Sequence, residues 1–312
     1  MKILFLDSVH PILEQRLTEK GFVCLHEYQK TKTEVEKIIH EFDGIVIRSR
    51  FKIDTFFIDK ATRLKFIARS GAGMENIDIP YALQKGIKCY HSPEGNRDAV
   101  AEHAVGMLLS LFNHLCRSNT EAKQGIWNRE KNRGLEISDK TVGIIGYGYM
   151  GAAFAQRLKG FQCNILAYDK YKKNFGNEYV TECSLQEVFE KTDILSIHLP
   201  LTEETLYYIN QEFINQFAKP FYLINTARGK NVNTNHLVEA LKNGKIKGAC
   251  LDVLEYEKVS FENLNSDELP EAFRLLANND NVILSPHIAG WTQESYIKLS
   301  SVLADKILSD FC

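Results

Sequence analysis

The fold is decided by Thr141–Gly151, which reads TVGIIGYGYMG in this chain of 312 residues. An apolar run, a glycine turn and a helical pattern predict a strand followed by a helix whose first amides can bind a pyrophosphate. Gly146 permits the tight turn, Gly148 lets the backbone approach the phosphates, and Gly151 lets the helix pack closely on the strand. Asp169 ends the next apolar run, where a dinucleotide-binding fold places an acid.

The Asp169 carboxylate predicts which dinucleotide is bound. It can accept hydrogen bonds from both ribose hydroxyls, and it would repel a 2′-phosphate, so NAD is favoured over NADP. A glycine motif alone is also typical of an ordinary turn. Here the strand before it, the helix after it and the acid in place favour the dinucleotide interpretation.

Size and composition limit the class of protein. A chain of 312 residues is too long for one ordinary core, so we expect two domains. Hydrophobic residues make up 44% and charged residues 25%, which is typical of a soluble globular protein. The net charge of −2 argues against binding to nucleic acid or to a membrane surface.

Cysteine usage indicates the compartment. The seven cysteines are odd in number and contain no C-x-x-C pair, which fits a reducing cytosol. The run Met1–Leu6 is too short for the apolar region of a signal peptide, and no run approaches the ~18 apolar residues of a membrane span. We therefore expect a cytoplasmic protein. Histidines and cysteines lack ligand spacing, so no metal is expected.

Two blocks of alternating strand and helix patterns organise the chain. The first predicts short buried strands at 3–6, 22–25, 44–47, 64–68 and 87–90, with helices at 32–42, 54–61 and 77–85 between them. The second predicts strands at 142–145, 163–168, 193–197, 221–225, 247–251 and 281–284. Alternation of this kind builds parallel sheets covered by helices, the α/β class.

Three further segments join these blocks. Asn96 is predicted to cap a long helix over 97–117, about 30 Å at ~1.5 Å per residue, that bridges the two domains. A last helical pattern covers 292–308, and the polar, acidic stretch 254–281 is expected to be a loop.

Reactive side chains follow three strands of the second block. Arg228 follows the strand at 221–225, Glu255 and Glu257 follow the strand at 247–251, and His287 follows the strand at 281–284. Functional groups of an open α/β sheet gather at the carboxyl ends of its strands. We therefore expect an arginine, a carboxylate and a histidine in one crevice. A serine hydrolase is not indicated, because the chain has no G-x-S-x-G motif.

Longer motifs resemble the D-isomer-specific 2-hydroxyacid dehydrogenases over essentially the whole chain. The similarity implies a Rossmann NAD-binding domain at 96–289 and a flavodoxin-like, doubly wound substrate domain at 1–95 and 290–312. The matching segments are Arg69–Asp78, Asn96–Gly106, Trp127, His198–Thr202, Asn225–Gly229 and Ser285–Gly290.

The resemblance implies a role for each site residue. Arg228, Glu257 and His287 would be catalytic. The cofactor NAD would be bound by Gly146, Gly148, Tyr149, Met150, Gly151, Asp169, His198, Leu199, Pro200, Thr205, Thr226, Ala227, Arg228, Asp252, His287 and Gly290. The substrate would be bound by Arg48, Arg69, Gly71, Ala72, Gly73, Arg228 and His287.

Chemistry explains the catalytic residue types. His287 is a natural acid and base, because its charge changes near neutral pH. Arg228 can bind a carboxylate with its planar fork. Glu255 competes with Glu257 for the carboxylate role, and the family pattern selects Glu257. Lys258 stands where the family usually has proline, and His103 is expected to serve packing.

The substrate stays open among several acids. In its motifs the chain is most similar to D-3-phosphoglycerate dehydrogenases, which implies oxidation of 3-phosphoglycerate to 3-phosphohydroxypyruvate in serine biosynthesis, with Arg48 and Arg69 on the phosphate. The alternatives are a glyoxylate or hydroxypyruvate reductase and a D-lactate-type enzyme. An NAD-sensing corepressor-like binding protein is the alternative of another class.

The resemblance also implies an assembly and a motion. The region after Asn96 carries more apolar residues than one domain needs and builds a two-fold dimer in the family. We therefore expect a homodimer whose domains close over the cofactor, with hinges near 93–97 and 286–291.

Overall fold

The chain divides into two compact units. The computed structural model describes residues 1–257 and 269–312. Unit 1 comprises Met1–Arg97 and Trp291–Cys312, and unit 2 comprises Asp98–Gly290. These bounds differ by one or two residues from those expected from the sequence.

Both units are built from parallel strands and helices. The strands are β1 Lys2–Phe5, β2 Val23–His26, β3 Gly44–Ile47, β4 Phe66–Arg69, β5 Lys88–His91, β6 Thr141–Ile145, β7 Asn164–Tyr168, β8 Thr181–Glu182, β9 Ile194–Ile197, β10 Phe221–Asn225, β11 Ile246–Leu251 and β12 Val282–Leu284. The helices are α1 Ile12–Glu19, α2 Lys32–Val35, α3 Thr55–Lys60, α4 Ile79–Gln84, α5 Pro93–Phe112, α6 Leu115–Lys123, α7 Tyr149–Leu158, α8 Leu185–Lys191, α9 Gln211–Asn215, α10 Thr234–Lys242, α11 Glu271–Ala277 and α12 Gln293–Phe311.

The sheet of unit 1 has the order β2-β1-β3-β4-β5, and its strands are parallel. This is the flavodoxin-like order, so the predicted fold class of this unit is confirmed. Helix α12 completes its core, because Leu303, Ala304 and Ile307 are buried with Leu13 and Leu17. Burying each of these leucines stabilises the unit by roughly 1.5–3 kcal/mol, so the last helix belongs to this unit.

The sheet of unit 2 has the order β12-β11-β10-β9-β6-β7-β8. All six predicted strands are present, and the short β8 is an addition that its two residues did not signal. The chain runs outward from β6 through β7 and then returns to place β9 on the other side of β6. This change of direction is the topological switch point at which ligands bind in open α/β sheets.

The predicted long helix is wrong at both ends. Helix α5 begins at Pro93, so Asn96 lies inside it rather than capping it, and proline is tolerated in a first helical turn. The helix ends at Phe112, and His114 has a left-handed φ of 49°, after which α6 begins. Among the described residues no single helix is long and apolar enough to span a membrane; α5 and α6 pass that test only as a pair bent by 58°.

Two other predicted segments differ from the structure. The predicted loop 254–281 contains helix α11, which buries Ala272 and Leu276 one turn apart. A helix of seven residues has too few turns for its periodicity to stand out in the sequence. The helix predicted at 32–42 is shorter, because α2 ends at Val35 and a one-turn 3-10 helix covers Ile39–Glu41.

Candidate active site

The glycine turn after β6 leaves no room for side chains at two positions. Gly146 has φ +91°, and a Cβ there would lie 2.5 Å from the carbonyl oxygen of His198. A Cβ on Gly151 would lie 2.1 Å from the carbonyl oxygen of Gly146. Gly148 is the N-cap of α7, and the space where its Cβ would be is open. The turn therefore fits a pyrophosphate at the first amides of α7.

Asp169 is held by the backbone at the end of β7. Its carboxylate accepts hydrogen bonds from the amides of Tyr147 at 2.8 Å, Tyr171 at 3.0 Å and Lys172 at 2.9 Å. Burial alone would raise the pKa of Asp169, but these amides outweigh it and hold the pKa below its usual value. The carboxylate is therefore ionised at neutral pH, as a group that excludes a 2′-phosphate must be.

Lysines next to Asp169 are each engaged with another group. The Nζ of Lys170 lies 2.6 Å from Glu204, that of Lys172 lies 3.3 Å from the carbonyl of Tyr147, and that of Lys173 lies 3.3 Å from the carbonyl of Asp169. These contacts give the lysine cluster partners within the protein.

Two buried polar atoms at the switch point have no partner among the described residues, the Nδ1 of His198 and the Oγ1 of Thr226. The other ring nitrogen of His198 lies 2.9 Å from the Oγ of Ser196. Burial lowers the pKa of His198 to about 4, so its ring is neutral at physiological pH. Buried polar groups normally find a partner, and these two atoms suit a polar ligand at the ends of β9 and β10.

The loop after β9 is held by its own hydrogen bonds. The Oγ1 of Thr205 donates to the carbonyl of Pro200 at 2.6 Å, and Asn231 donates to the carbonyls of both residues. Thr205 therefore shapes this loop. Asn231 was missed by the sequence analysis, because it lies outside every motif.

Strand register brings the predicted catalytic residues to one edge of the sheet. Asn225 at the end of β10 pairs with Leu251 of β11, and Leu251 pairs with Leu284 of β12. The Nδ1 of His287 lies 2.7 Å from the Oε2 of Glu257. The other oxygen of Glu257 accepts the amide of Leu254 at 2.6 Å.

Glu255 is used elsewhere. Its carboxylate accepts the amide of Thr234 at 3.0 Å, at the first turn of α10. Of the two glutamates, Glu257 is the one that lies within hydrogen-bond distance of His287. Lys258, which replaces the family's usual proline, lies outside the described residues.

A buried carboxylate holds the turn that carries His287. His287 has a left-handed φ of 54°, and its amide donates to the carbonyl of Asp252 at 2.7 Å. The Asp252 carboxylate is 1% exposed and accepts the amides of Ile288 and Ala289, each at 2.9 Å, and the hydroxyl of Ser285 at 2.6 Å. Asp252 was predicted as a cofactor residue, and the contacts show that its carboxylate orients this turn.

His103 does more than pack. Its Nε2 lies 2.9 Å from the Oγ of Ser285 and 3.5 Å from the Oδ1 of Asp252. Helix α5 is thus hydrogen-bonded to the same turn. The sequence offered no signal for this contact, because His103 and Ser285 are 182 residues apart along the chain.

Arg228 follows β10 directly, and its backbone is fixed by two asparagine side chains. Asn225 donates to its carbonyl at 3.0 Å, and Asn231 accepts its amide at 3.1 Å. Its Nη1 donates to the carbonyl of Ala227 at 2.7 Å. This bond holds the guanidinium to the backbone of the preceding residue.

The predicted substrate residues of unit 1 lie at the ends of β3 and β4. The guanidinium carbon of Arg48 is 4.3 Å from the ring centre of Trp291, and the Nε of Arg69 donates to the carbonyl of Arg48 at 3.2 Å. Arg50 is a structural arginine by contrast, because its guanidinium binds the carbonyls of Leu6, Glu27 and Lys30.

Cofactor preference gives the first prediction. Asp169→Ala is expected to narrow the preference for NADH over NADPH, because it removes a carboxylate that repels the 2′-phosphate. The measurement is kcat/KM with each cofactor in both proteins, and Glu239→Ala, which removes an exposed carboxylate on α10 of the same unit, is the control. A wild-type protein that uses both cofactors equally well would contradict the prediction.

The parallel seven-stranded sheet, the glycine turn and Asp169 define unit 2 as a dinucleotide-binding unit, and the carboxylate–histidine pair at its edge suits general acid–base chemistry. Residues 105–289 match the family model described as D-isomer specific 2-hydroxyacid dehydrogenase, NAD binding domain. The chain belongs to the D-isomer specific 2-hydroxyacid dehydrogenase family, and NAD is its cofactor.

Known relatives carry different activities. The chain is 37% identical over 281 residues to the hydroxypyruvate reductase of Thermotoga maritima, covering 89% of this chain and 88% of the relative. It is 34% identical over 312 residues to the D-3-phosphoglycerate dehydrogenase of Bacillus subtilis, covering 98% of this chain and 56% of that longer protein. The solved structure of the D-lactate dehydrogenase of Aquifex aeolicus, complexed with NAD and lactic acid, has a TM-score of 0.83 at 28% identity, covering 99% of this chain and 95% of that one.

Proposed function

We propose that this protein interconverts a D-2-hydroxy acid and its 2-oxo acid, with 3-phosphoglycerate as the hydroxy acid. The observation that carries the reaction type is the 2.7 Å contact between Glu257 and the Nδ1 of His287. A carboxylate bound to one ring nitrogen fixes the tautomer and assigns proton transfer to the other nitrogen.

His287 is the proposed acid and base. NAD, when bound, would supply the hydride acceptor for the substrate carbon, and oxidation also requires removal of the hydroxyl proton. The Nε2 of His287 takes that proton, and in the reverse direction it returns the proton to the carbonyl oxygen. Glu257 stabilises the imidazolium that forms, because an opposite charge within hydrogen-bond distance favours the charged ring.

Arg228 is proposed to bind the substrate carboxylate. A guanidinium presents paired donors that match a carboxylate, and charge-assisted bonds of this kind are the stronger ones. Its anchored Nη1 limits the side chain to few conformations. The amides of Gly71, Ala72 and Gly73 are proposed as the second group of donors to the same carboxylate.

The phosphorylated substrate is supported by two arginines at the ends of β3 and β4. A phosphate needs positive charge in addition to Arg228, which is assigned to the carboxylate. The guanidinium of Arg48 is held against the ring of Trp291. The guanidinium of Arg69 lies against Gly71, in the loop of Gly71, Ala72 and Gly73 that is proposed to bind the substrate. Arg69 is thus kept next to a residue proposed to bind the substrate, and its Nε donates to the carbonyl of Arg48.

Hydroxypyruvate is the second candidate. The Thermotoga hydroxypyruvate reductase matches this chain over most of both proteins, whereas the chain spans little more than half of the Bacillus phosphoglycerate dehydrogenase. The two candidate 2-oxo acids differ in a single phosphate, so one experiment separates them.

Arg48→Ala is expected to raise KM for 3-phosphohydroxypyruvate roughly tenfold or more, because losing a charge-assisted contact costs ~1.5–3 kcal/mol. KM for hydroxypyruvate should change much less. Steady-state kinetics with NADH on both acids makes the test, and Arg63→Ala, which removes a 60% exposed arginine side chain of the same unit, is the matched control. A wild-type protein with higher kcat/KM on hydroxypyruvate or glyoxylate would assign the protein as a reductase instead.

The dimer and the binding-protein alternative complete the proposal. We propose a homodimer, consistent with the exposed Leu115, Ile126 and Trp127 in and after α6.

Turnover of any 2-hydroxy or 2-oxo acid would distinguish an enzyme from a corepressor-like binding protein. Absence of turnover across a panel of such acids, with NADH still bound, would favour the binding protein.

A further inference from the structure

The loop after β4 has two successive carbonyls turned in one direction. The amide of Ser92 donates to the carbonyl of Gly71 at 2.9 Å. The Nδ1 of His91 lies 2.7 Å from the carbonyl of Ala72 and must carry the hydrogen, because a carbonyl oxygen can only accept. Both carbonyls therefore point toward the end of β5.

Peptide geometry then fixes where the next amides point. In a trans peptide the C=O and the following N–H point in opposite directions. The amides of Ala72 and Gly73 are thus turned away from β5, and no acceptor among residues 1–257 and 269–312 receives a hydrogen bond from either. Neighbouring amides that point the same way form an anion-binding concavity.

Gly71 and Arg69 add to this concavity. Gly71 has φ +153°, and a Cβ there would lie 1.6 Å from the Nη1 of Arg69. The guanidinium therefore packs directly on the loop, and a side chain at position 71 would displace it. The loop combines two oriented amides with a neighbouring positive charge.

We propose that His91 is a positioning residue for substrate binding. Its imidazole holds the Ala72–Gly73 peptide in the orientation that presents the Gly73 amide to the carboxylate of the substrate. His91 is itself held, because Lys306 donates to its carbonyl at 2.8 Å and to Glu94 at 2.9 Å. The inference rests on the proposed function, which assigns this loop to the carboxylate.

Two substitutions at the same position test the donor. In His91→Leu a methyl group takes the place of Nδ1 on Cγ, whereas His91→Asn can place an amide nitrogen there. His91→Leu is expected to raise KM for the preferred 2-oxo acid about tenfold and to leave kcat within about twofold, because the carboxylate is bound alike in the ground and transition states. His91→Asn should restore KM, and NADH affinity should be unchanged in both. His40→Leu, at an exposed position of the same unit, is the control.

A binding measurement keeps this test separate from turnover. Oxalate titrated into the NADH complex should bind about tenfold more weakly to His91→Leu than to the wild type or to His91→Asn. Unchanged KM and oxalate affinity in His91→Leu would overturn the proposal, as would failure of His91→Asn to restore them. A wild-type protein that binds no oxalate would also overturn it. Absence of turnover in a wild type that binds oxalate would instead reject the proposed function.

Discussion

His287→Ala is expected to lower kcat by ~10²–10⁴-fold, because positioned proton transfer typically contributes that much to the rate. His287 is only one of the residues proposed to contact NADH, and those that follow β6 and β7 or begin α7 are untouched, so NADH affinity should change little. The measurements are steady-state turnover with the preferred acid and a titration of NADH fluorescence on the same preparation.

Two controls make the result specific to proton transfer. His40→Ala, an exposed histidine, should keep wild-type turnover. His287→Gln keeps hydrogen-bonding capacity but cannot exchange a proton near neutral pH, so it should be as inactive as His287→Ala. A His287→Ala protein that retained a tenth or more of the wild-type kcat would show that another group performs the proton transfer.

Glu257→Gln is expected to lower the rate of 2-oxo acid reduction at neutral pH by roughly 10–100-fold, since a hydrogen bond to a charged group contributes ~1.5–3 kcal/mol. The amide keeps the size of the side chain but removes the negative charge beside His287. The imidazolium that reduction requires is then less favoured.

The direction of the pH effect follows from this loss. The charged ring is less favoured without its anionic partner, so the pH profile of reduction should move to lower pH. Oxidation needs the neutral ring, and its activity should extend to lower pH. Glu255→Gln is the matched control, because Glu255 binds the amide of Thr234, and it should keep the wild-type pH profile. A shifted pH profile in Glu255→Gln and an unchanged profile in Glu257→Gln would make Glu255 the partner of His287.

Short sequence patterns were sufficient to predict the strands whose ends carry the site residues. Strands at 142–145 and 221–225 were predicted because each is a short apolar run bounded by polar or turn residues, and a buried parallel strand has that pattern. Prediction was weakest where a boundary depends on packing. Proline breaks a helix in its interior, yet Pro93 begins α5. Helix α11 has only seven residues, too few for a helical pattern of apolar residues to be recognised.

The sequence by itself determined which chemical groups occur at the carboxyl ends of the strands. Each strand, the residues that follow it and the glycine motif can be recognised from a short stretch of the chain. Only the tertiary structure decided which of those groups are partners. It placed Glu257 next to His287 and Glu255 next to the amide of Thr234. It also placed the Asp252 carboxylate at the amides of Ile288 and Ala289, and His91 at the carbonyl of Ala72. A hydrogen bond needs donor and acceptor within about 3 Å, and for residues far apart along the chain that distance is set by how the elements pack.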